Sequence, residues 1–144
     1  MKIWFDMDGT IADLYSVENW LTKLVASDPS PYAMAAPLLR LATLARLLNK
    51  AQRQGHEIGV ISWLSKTSTP DYDMAVTAAK REWLAKHLPS VHWNEIKIVA
   101  YGTNKKATCG CGVLFDDEER NRNEWGEGAF EPSQIINILK GLVA

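Results

Sequence analysis

The stretch MKIWFDMDGT, residues 1–10, sets an apolar run, Ile3-Trp4-Phe5, against two carboxylates, Asp6 and Asp8, that lead at once into Gly9 and Thr10. A short apolar run that ends in a glycine turn reads as a buried strand followed by a tight loop. Two acids separated by one residue put both charges near the same loop, where they repel each other unless a cation joins them. The purpose of that pair depends on what the rest of the chain brings to the same place.

Three further apolar runs stand out: Ile58-Gly59-Val60-Ile61, Ile96-Lys97-Ile98-Val99-Ala100 and Gly112-Val113-Leu114-Phe115. Mostly continuous and rich in β-branched residues, they have the pattern of strands covered on both faces of a parallel sheet. Helical patterns lie between them. Val17, Trp20, Leu21, Leu24 and Val25 follow helical spacing up to Asp28-Pro29, and Leu38, Leu41, Leu44, Ala45 and Leu48 do so up to Gly55. Thr69-Pro70 supplies an N-cap and a first-turn proline for a helix running to about Leu88, ahead of Pro89. A final amphipathic stretch holds Ile135, Ile136, Ile138, Leu139 and Leu142. This alternation predicts a doubly wound α/β sheet, in which the ligand crevice lies at the carboxyl ends of the strands.

The bulk properties narrow the field. A chain of 144 residues, 47% hydrophobic and 23% charged, has the size of one domain, 1–144. A formal net charge of −1 excludes a chain-wide basic surface for nucleic acid. No apolar run reaches the ~18 residues of a membrane span, and the N-terminus lacks a signal-peptide layout, so a cytoplasmic protein is expected. Cys109 and Cys111 are spaced poorly for a disulfide and have no partners at zinc spacing, so they read as ordinary thiols.

Each strand end delivers a polar group. Asp6, Asp8, Gly9 and Thr10 follow the first strand, and Ser62 and Trp63 the second. Asn104-Lys105-Lys106 comes soon after the third, and Asp116-Asp117-Glu118-Glu119 follows the fourth. Taken singly these are ordinary turn and surface residues. In series they form an arrangement suited to Mg²⁺ and a phosphoryl group. Mg²⁺ takes carboxylate oxygens, water and phosphate oxygens, which Asp6 with Asp116 or Asp117 would supply. A carboxylate attacks phosphorus to form an aspartyl-phosphate, and a second acid protonates the leaving oxygen and then activates water. A hydroxyl and an ammonium hold the remaining phosphoryl oxygens, and Gly9 allows the turn that presents backbone amides.

The D-M-D-G-T segment after an apolar strand resembles motif I of the haloacid dehalogenase (HAD) superfamily. Ser62, Asn104-Lys105-Lys106 and Leu114-Phe-Asp-Asp117 resemble its motifs II, III and IV, in order along the chain. The resemblance implies a Rossmann-like, three-layer α/β/α sandwich with a mainly parallel sheet, an essential Mg²⁺, Asp6 as nucleophile and Asp8 as acid/base. The metal set implied is Asp6, the backbone carbonyl of Asp8, and Asp116 or Asp117. The phosphate-binding set is Gly9, Thr10, Ser62, Trp63 and a lysine of motif III. The short interval from lysine to the Asp-Asp pair is similar to that of 5'(3')-deoxyribonucleotidases and favours Lys106 over Lys105. Acids at both motif I positions imply a phosphohydrolase, acting on a nucleotide or related small phosphate. The segment from Asp13 to His56 must hold two core or near-core helices, which leaves no room for a large cap and at most a small lid at residues 28–37. An open site of that kind also admits a phosphorylated nucleic-acid end, with Lys66, Arg120 and Arg122 as contacts. A phospho-receiver domain fits less well, because its acid pair comes first and its lysine last. Trp20 and Trp83 are expected in the core, whereas Trp63 and Trp125 flank the site residues and are candidates to stack on a base.

Overall fold

The computed structural model describes residues 1–144. In chain order the elements are β1 (Lys2–Phe5), β2 (Ala12–Asp13), α1 (Trp20–Val25), α2 (Ser30–Met34), β3 (Ala36–Pro37), α3 (Leu41–Arg53), β4 (Glu57–Trp63), α4 (Pro70–His87), β5 (Glu95–Val99), α5 (Lys105–Cys109), β6 (Val113–Phe115), α6 (Glu119–Trp125), β7 (Ala129–Phe130) and α7 (Ile135–Leu142). Five strands form one sheet in the order β5-β4-β1-β6-β7, with every pairing parallel. β2 and β3 form a separate antiparallel pair. The expected α/β sandwich on a mainly parallel sheet is what the chain adopts, and it carries no large cap. No helix is long and apolar enough to cross a membrane.

Period-two alternation of side chains builds the layers. Ile3 and Phe5 of β1, Ile58 and Val60 of β4, and Val113 and Phe115 of β6 point to one face. There they join Leu44, Leu47 and Leu48 of α3, Trp83 and Leu84 of α4, and Ile135 and Leu139 of α7 in the main core. Trp4, Ile61 and Leu114 point to the other face and pack with Cys109 of α5 and Trp125 of α6. Trp4 lies opposite Gly59 in the β1–β4 register, and any Cβ at Gly59 would run into the indole ring. The apolar run of β4 therefore contains a glycine because its neighbour is a tryptophan.

Local signals account for the helix boundaries. The Thr69 hydroxyl accepts the Tyr72 N–H at 3.3 Å to cap α4, with Pro70 in its first turn. Glu131 and Gln134 form a reciprocal capping box just ahead of α7.

Of the two core or near-core helices expected between Asp13 and His56, α3 enters the main core and α1 borders a smaller cluster. α1 buries no residue fully; Trp20 and Leu24 rest on a satellite cluster of Leu14, Tyr32, Tyr72, Val76 and Ala79, while Leu21 and Val25 stay exposed. The helical spacing expected over 17–25 is realised only from Trp20 to Val25, and its apolar face lines the cleft at the carboxyl end of the sheet instead of entering the core. Trp20 accordingly leaves the core assignment, whereas Trp83 keeps it, at 1% exposure.

This difference is measurable. Leu48→Ala in α3 should cost about 2–5 kcal/mol in urea unfolding, while Leu21→Ala in α1 should change stability by no more than about 0.5 kcal/mol. Equal losses would place α1 in the core after all.

Candidate active site

The sheet order reverses direction at β1. The chain moves outward through β4 and β5, then crosses back to β6 on the other side, and such a switch point opens a crevice at the strand ends. The parallel ladder carries on past the strands here. The Asp6 N–H donates to Phe115 O at 2.9 Å, and the Asp116 N–H to Phe130 O at 3.1 Å. These bonds pin the backbone of both acids at the same rim.

Lys105, the first residue of α5, lies between the two acids. Its ammonium donates to Asp6 Oδ1 at 3.0 Å and to Asp116 Oδ2 at 2.6 Å, and it is 2% exposed. Asn104 caps that short helix by accepting the Ala107 N–H at 2.9 Å, which aims Lys105 at the rim. Lys106, the residue favoured from sequence spacing, points elsewhere: its ammonium stands 5.0 Å from the Trp125 ring centroid, on the far face of the sheet. Adjacent helical residues diverge by about 100°, so only one of the pair reaches the site, and that one is Lys105.

The loop after β1 coils around a single carbonyl. Met7 O accepts the N–H groups of Thr10, Ile11 and Ala12, each at 3.0 Å. Gly9 has φ of 81°, and a Cβ there would collide with the Asp117 carboxylate and the Tyr15 ring. The Gly9 amide donates to Ala12 O at 2.9 Å. The Thr10 hydroxyl, fully buried, lies 3.0 Å from Asp6 Oδ2 and 3.3 Å from Asp117 Oδ1, and it accepts the Asp117 N–H at 3.2 Å. Of the two residues expected as phosphate contacts, Thr10 ties Asp6 to Asp117 beneath the cleft, and Gly9 leaves room for the Asp117 carboxylate.

Asp8 lies beside a second buried cation that sequence reasoning missed. Lys80 of α4, 1% exposed, donates to Asp8 Oδ2 at 3.0 Å, Ser62 Oγ at 2.7 Å and Trp63 O at 2.8 Å. The signal was present, since Lys80 interrupts the buried stripe Val76, Ala79, Trp83 and Leu84. An ammonium inside an apolar helix face needs buried acids to meet it. Ser62 is fully buried under Asp8.

Above this floor opens a cleft of about 330 Å³. Asp6, Asp8, Asp117 and Lys105 line its base, Leu14, Tyr15, Trp20, Leu21, Leu24 and Val25 one wall, and Trp63, Tyr101 and Lys66 the other. Trp63 keeps its expected place at the site; its indole N–H donates to Thr103 O at 2.9 Å and its ring lies 5.5 Å from the Lys105 ammonium. Trp125 does not: it is buried with Trp4, its N–H on Gly112 O at 3.1 Å. Arg122 is likewise turned away, onto Asp116 O and Glu131.

Four carboxyl groups meet two ammonium groups, so the fully ionised cluster carries an excess of two negative charges. Burial and then the Asp6 charge push Asp117 up to about 8. The same two causes push Asp116 up to about 6, against the pull of Lys105. Burial also raises Asp8, with Lys80 opposing it. Burial works against the Lys105 charge, but Asp6 and Asp116 outweigh it and hold that pKa above the ordinary lysine value. Carboxyl oxygens of Asp6, Asp116 and Asp117 lie within 4.8 Å of one another, and the buried Asn121 Oδ1, on the residue whose amide donates to Asp116 at 3.1 Å, has no partner. An all-oxygen donor set short of two positive charges fits a hard divalent cation.

No protein-family model matches the chain. A search of curated proteins also finds no match. Among solved structures it is similar to the crystal structure of D,D-heptose 1,7-bisphosphate phosphatase from Burkholderia thailandensis, with a TM-score of 0.57 and 12% identity, over 99% of this chain and 98% of that one. At that identity the likeness concerns the fold, and the chemistry rests on the side chains just described.

The raised carboxyl groups link pH to stability. Their folded pKa values exceed the unfolded value of about 3.9, so the metal-free folded state binds the extra protons and loses stability as pH rises from about 4 to about 8. Thermal unfolding in EDTA should therefore show Tm falling across that window, with a shallower fall in Asp117→Asn. Mg²⁺ should raise Tm more at about pH 8 than at about pH 5, because it competes with protons for the same oxygens. A wild-type slope identical to that of Asp117→Asn would refute the assignment.

Proposed function

We propose that the chain is a Mg²⁺-dependent phosphohydrolase of the HAD type, cleaving a phosphate monoester through an aspartyl-phosphate on Asp6, with a nucleotide as the favoured substrate. The observation that carries this reading is the convergence of Asp6, Asp117 and Lys105, which line the cleft, with the fully buried Asp116. The fold likeness to a phosphatase supports it.

In this mechanism an Asp6 oxygen attacks phosphorus while the P–O bond to the leaving group breaks, and Asp8 passes its proton to the departing oxygen. Asp8, now ionised, takes a proton from water as that water attacks the phosphoryl group, releasing inorganic phosphate and restoring Asp6. Asp6, Asp116 or Asp117 and the Asp8 carbonyl would hold Mg²⁺, which would supply the positive charge that relieves repulsion between attacker and phosphate. Lys105 spends two N–H groups on Asp6 and Asp116 and keeps the third for a phosphoryl oxygen. Thr10 maintains the distance between Asp6 and Asp117.

The cleft walls suggest what the phosphate is attached to. Tyr15, Trp20, Leu21, Leu24, Val25, Trp63 and Tyr101 line the cleft, a lining suited to a flat apolar group such as a nucleobase. Besides Lys105, Lys66 is the cation that lines the cleft, which favours a monoester over a bisphosphate. A phosphorylated nucleic-acid end is the second reading, supported by Lys66 at the rim and by Arg120 5.7 Å from the Trp63 ring centroid. The pairing of Arg120 with Glu124 and the inward turn of Arg122 weaken it.

A phosphomonoester screen with and without EDTA tests the reading, and should include deoxynucleotides and 5'- and 3'-phosphorylated oligonucleotides. EDTA and Asp6→Asn should each abolish turnover; full activity in either would end the proposal. Lys105→Ala should lower kcat by about 10²–10³-fold, with Lys106→Ala close to wild type. Trp20→Ala should raise KM for nucleotides while leaving kcat near its original value.

A further inference from the structure

We propose that Lys80 is a positioning residue that pins one oxygen of Asp8 so that the other, Oδ1, carries the proton delivered to the leaving group. The inference rests on the phosphohydrolase reading and adds to it a residue outside every strand end.

An ammonium has three N–H groups, and those of Lys80 go to Asp8 Oδ2 at 3.0 Å, Ser62 Oγ at 2.7 Å and Trp63 O at 2.8 Å. None remains for a phosphoryl oxygen, in contrast to Lys105. The Tyr32 ring of α2 covers the ammonium, its centroid 5.1 Å from Nζ, so water does not compete for these bonds. Two of the three acceptors belong to the end of β4, the strand hydrogen-bonded to β1. Lys80 thereby ties a loop carboxylate to the rigid sheet.

The bond also sorts the two oxygens of Asp8. An oxygen that accepts from an ammonium has that donor in front of it, and a proton there would confront another N–H. The acid form therefore carries its proton on Oδ1, which makes no hydrogen bond to the protein, while Asp8 itself lines the cleft. A buried ion pair is a poor way to gain stability when an apolar side chain would fill the same volume. Among Val76, Ala79, Trp83 and Leu84, a lysine earns its place through what it holds.

A general acid matters in proportion to how badly the leaving group needs a proton. The value of kcat/KM reports events up to transfer of the phosphoryl group to Asp6, so it isolates the step in which Asp8 acts as acid. Lys80→Met should lower kcat/KM by about 10²-fold for an alkyl phosphate such as a nucleoside monophosphate, and leave p-nitrophenyl phosphate, whose leaving group departs unprotonated, near wild type. Lys80→Arg should fall between, since it keeps charge but not the compact three-donor geometry. Asp8→Asn should lower kcat/KM for the nucleoside monophosphate at least as far, and on that substrate the double variant should add no further loss to Asp8→Asn. If Lys80→Met does not fold, Lys80→Gln carries the same comparison. Equal losses on both substrates, or additive losses with Asp8→Asn, overturn the role of Lys80 alone. Absent turnover in the wild type, or retained turnover in Asp6→Asn, overturns the phosphohydrolase reading and this inference with it.

Discussion

The site depends on one buried ammonium held between two carboxylates. Asp6 and Asp116 end adjacent parallel strands, and the ladder that continues through Asp6 N–H to Phe115 O leaves them no freedom to separate. In a medium of low dielectric that proximity is costly without a counter-charge. Lys105, at 3.0 and 2.6 Å from the two acids, supplies it. The parallel sheet brings the acids to the same rim, Lys105 makes the rim tolerable, and the charge still uncompensated is what a divalent cation would match.

A second ammonium organises the other half of the site in a different way. Lys105 reaches the cleft and has bonding capacity left, whereas Lys80 is saturated and sealed beneath Tyr32. The two lysines differ in their hydrogen-bond inventories: Lys80 makes three bonds and Lys105 two. Above them the character of the protein changes: residues 14–25 present Tyr15, Leu21 and Val25 to solvent at the edge of a charged floor. Exposed apolar groups that gather around a cleft are the usual mark of a binding wall. The charged groups therefore sit on the sheet and the helices packed on it, while the apolar lining comes largely from the segment that follows β1.

Much of this was readable from residue order. The four strands, the Thr69 cap and the placement of Asp6, Asp8 and Asp116-Asp117 at strand ends follow from apolar runs and the residues after them. The misreadings share a cause. Lys105 and Lys106 are neighbours in sequence but diverge on a helix, and the spacing argument did not include which face of α5 looks inward. Trp63 and Trp125 both flank site residues, yet Trp63 lies at the mouth of the cleft and Trp125 on the opposite face with Trp4. Trp20 lies in an apolar helical stripe, and that stripe covers a cleft instead of a core. Lys80 went unnoticed because it is mid-helix, eighteen residues from Ser62 in sequence.

The sequence by itself determined the α/β class, the strand ends at which polar groups collect and the kind of chemistry those groups support. These depend on local periodicity and on acids placed directly after apolar runs. Only the tertiary structure decided which lysine faces the acids, that a second lysine holds Asp8, that Thr10 turns inward, and that α1 forms a wall. Each of those depends on which side of a helix or loop meets a partner distant in the chain, and the identity and spacing of residues alone do not specify that side.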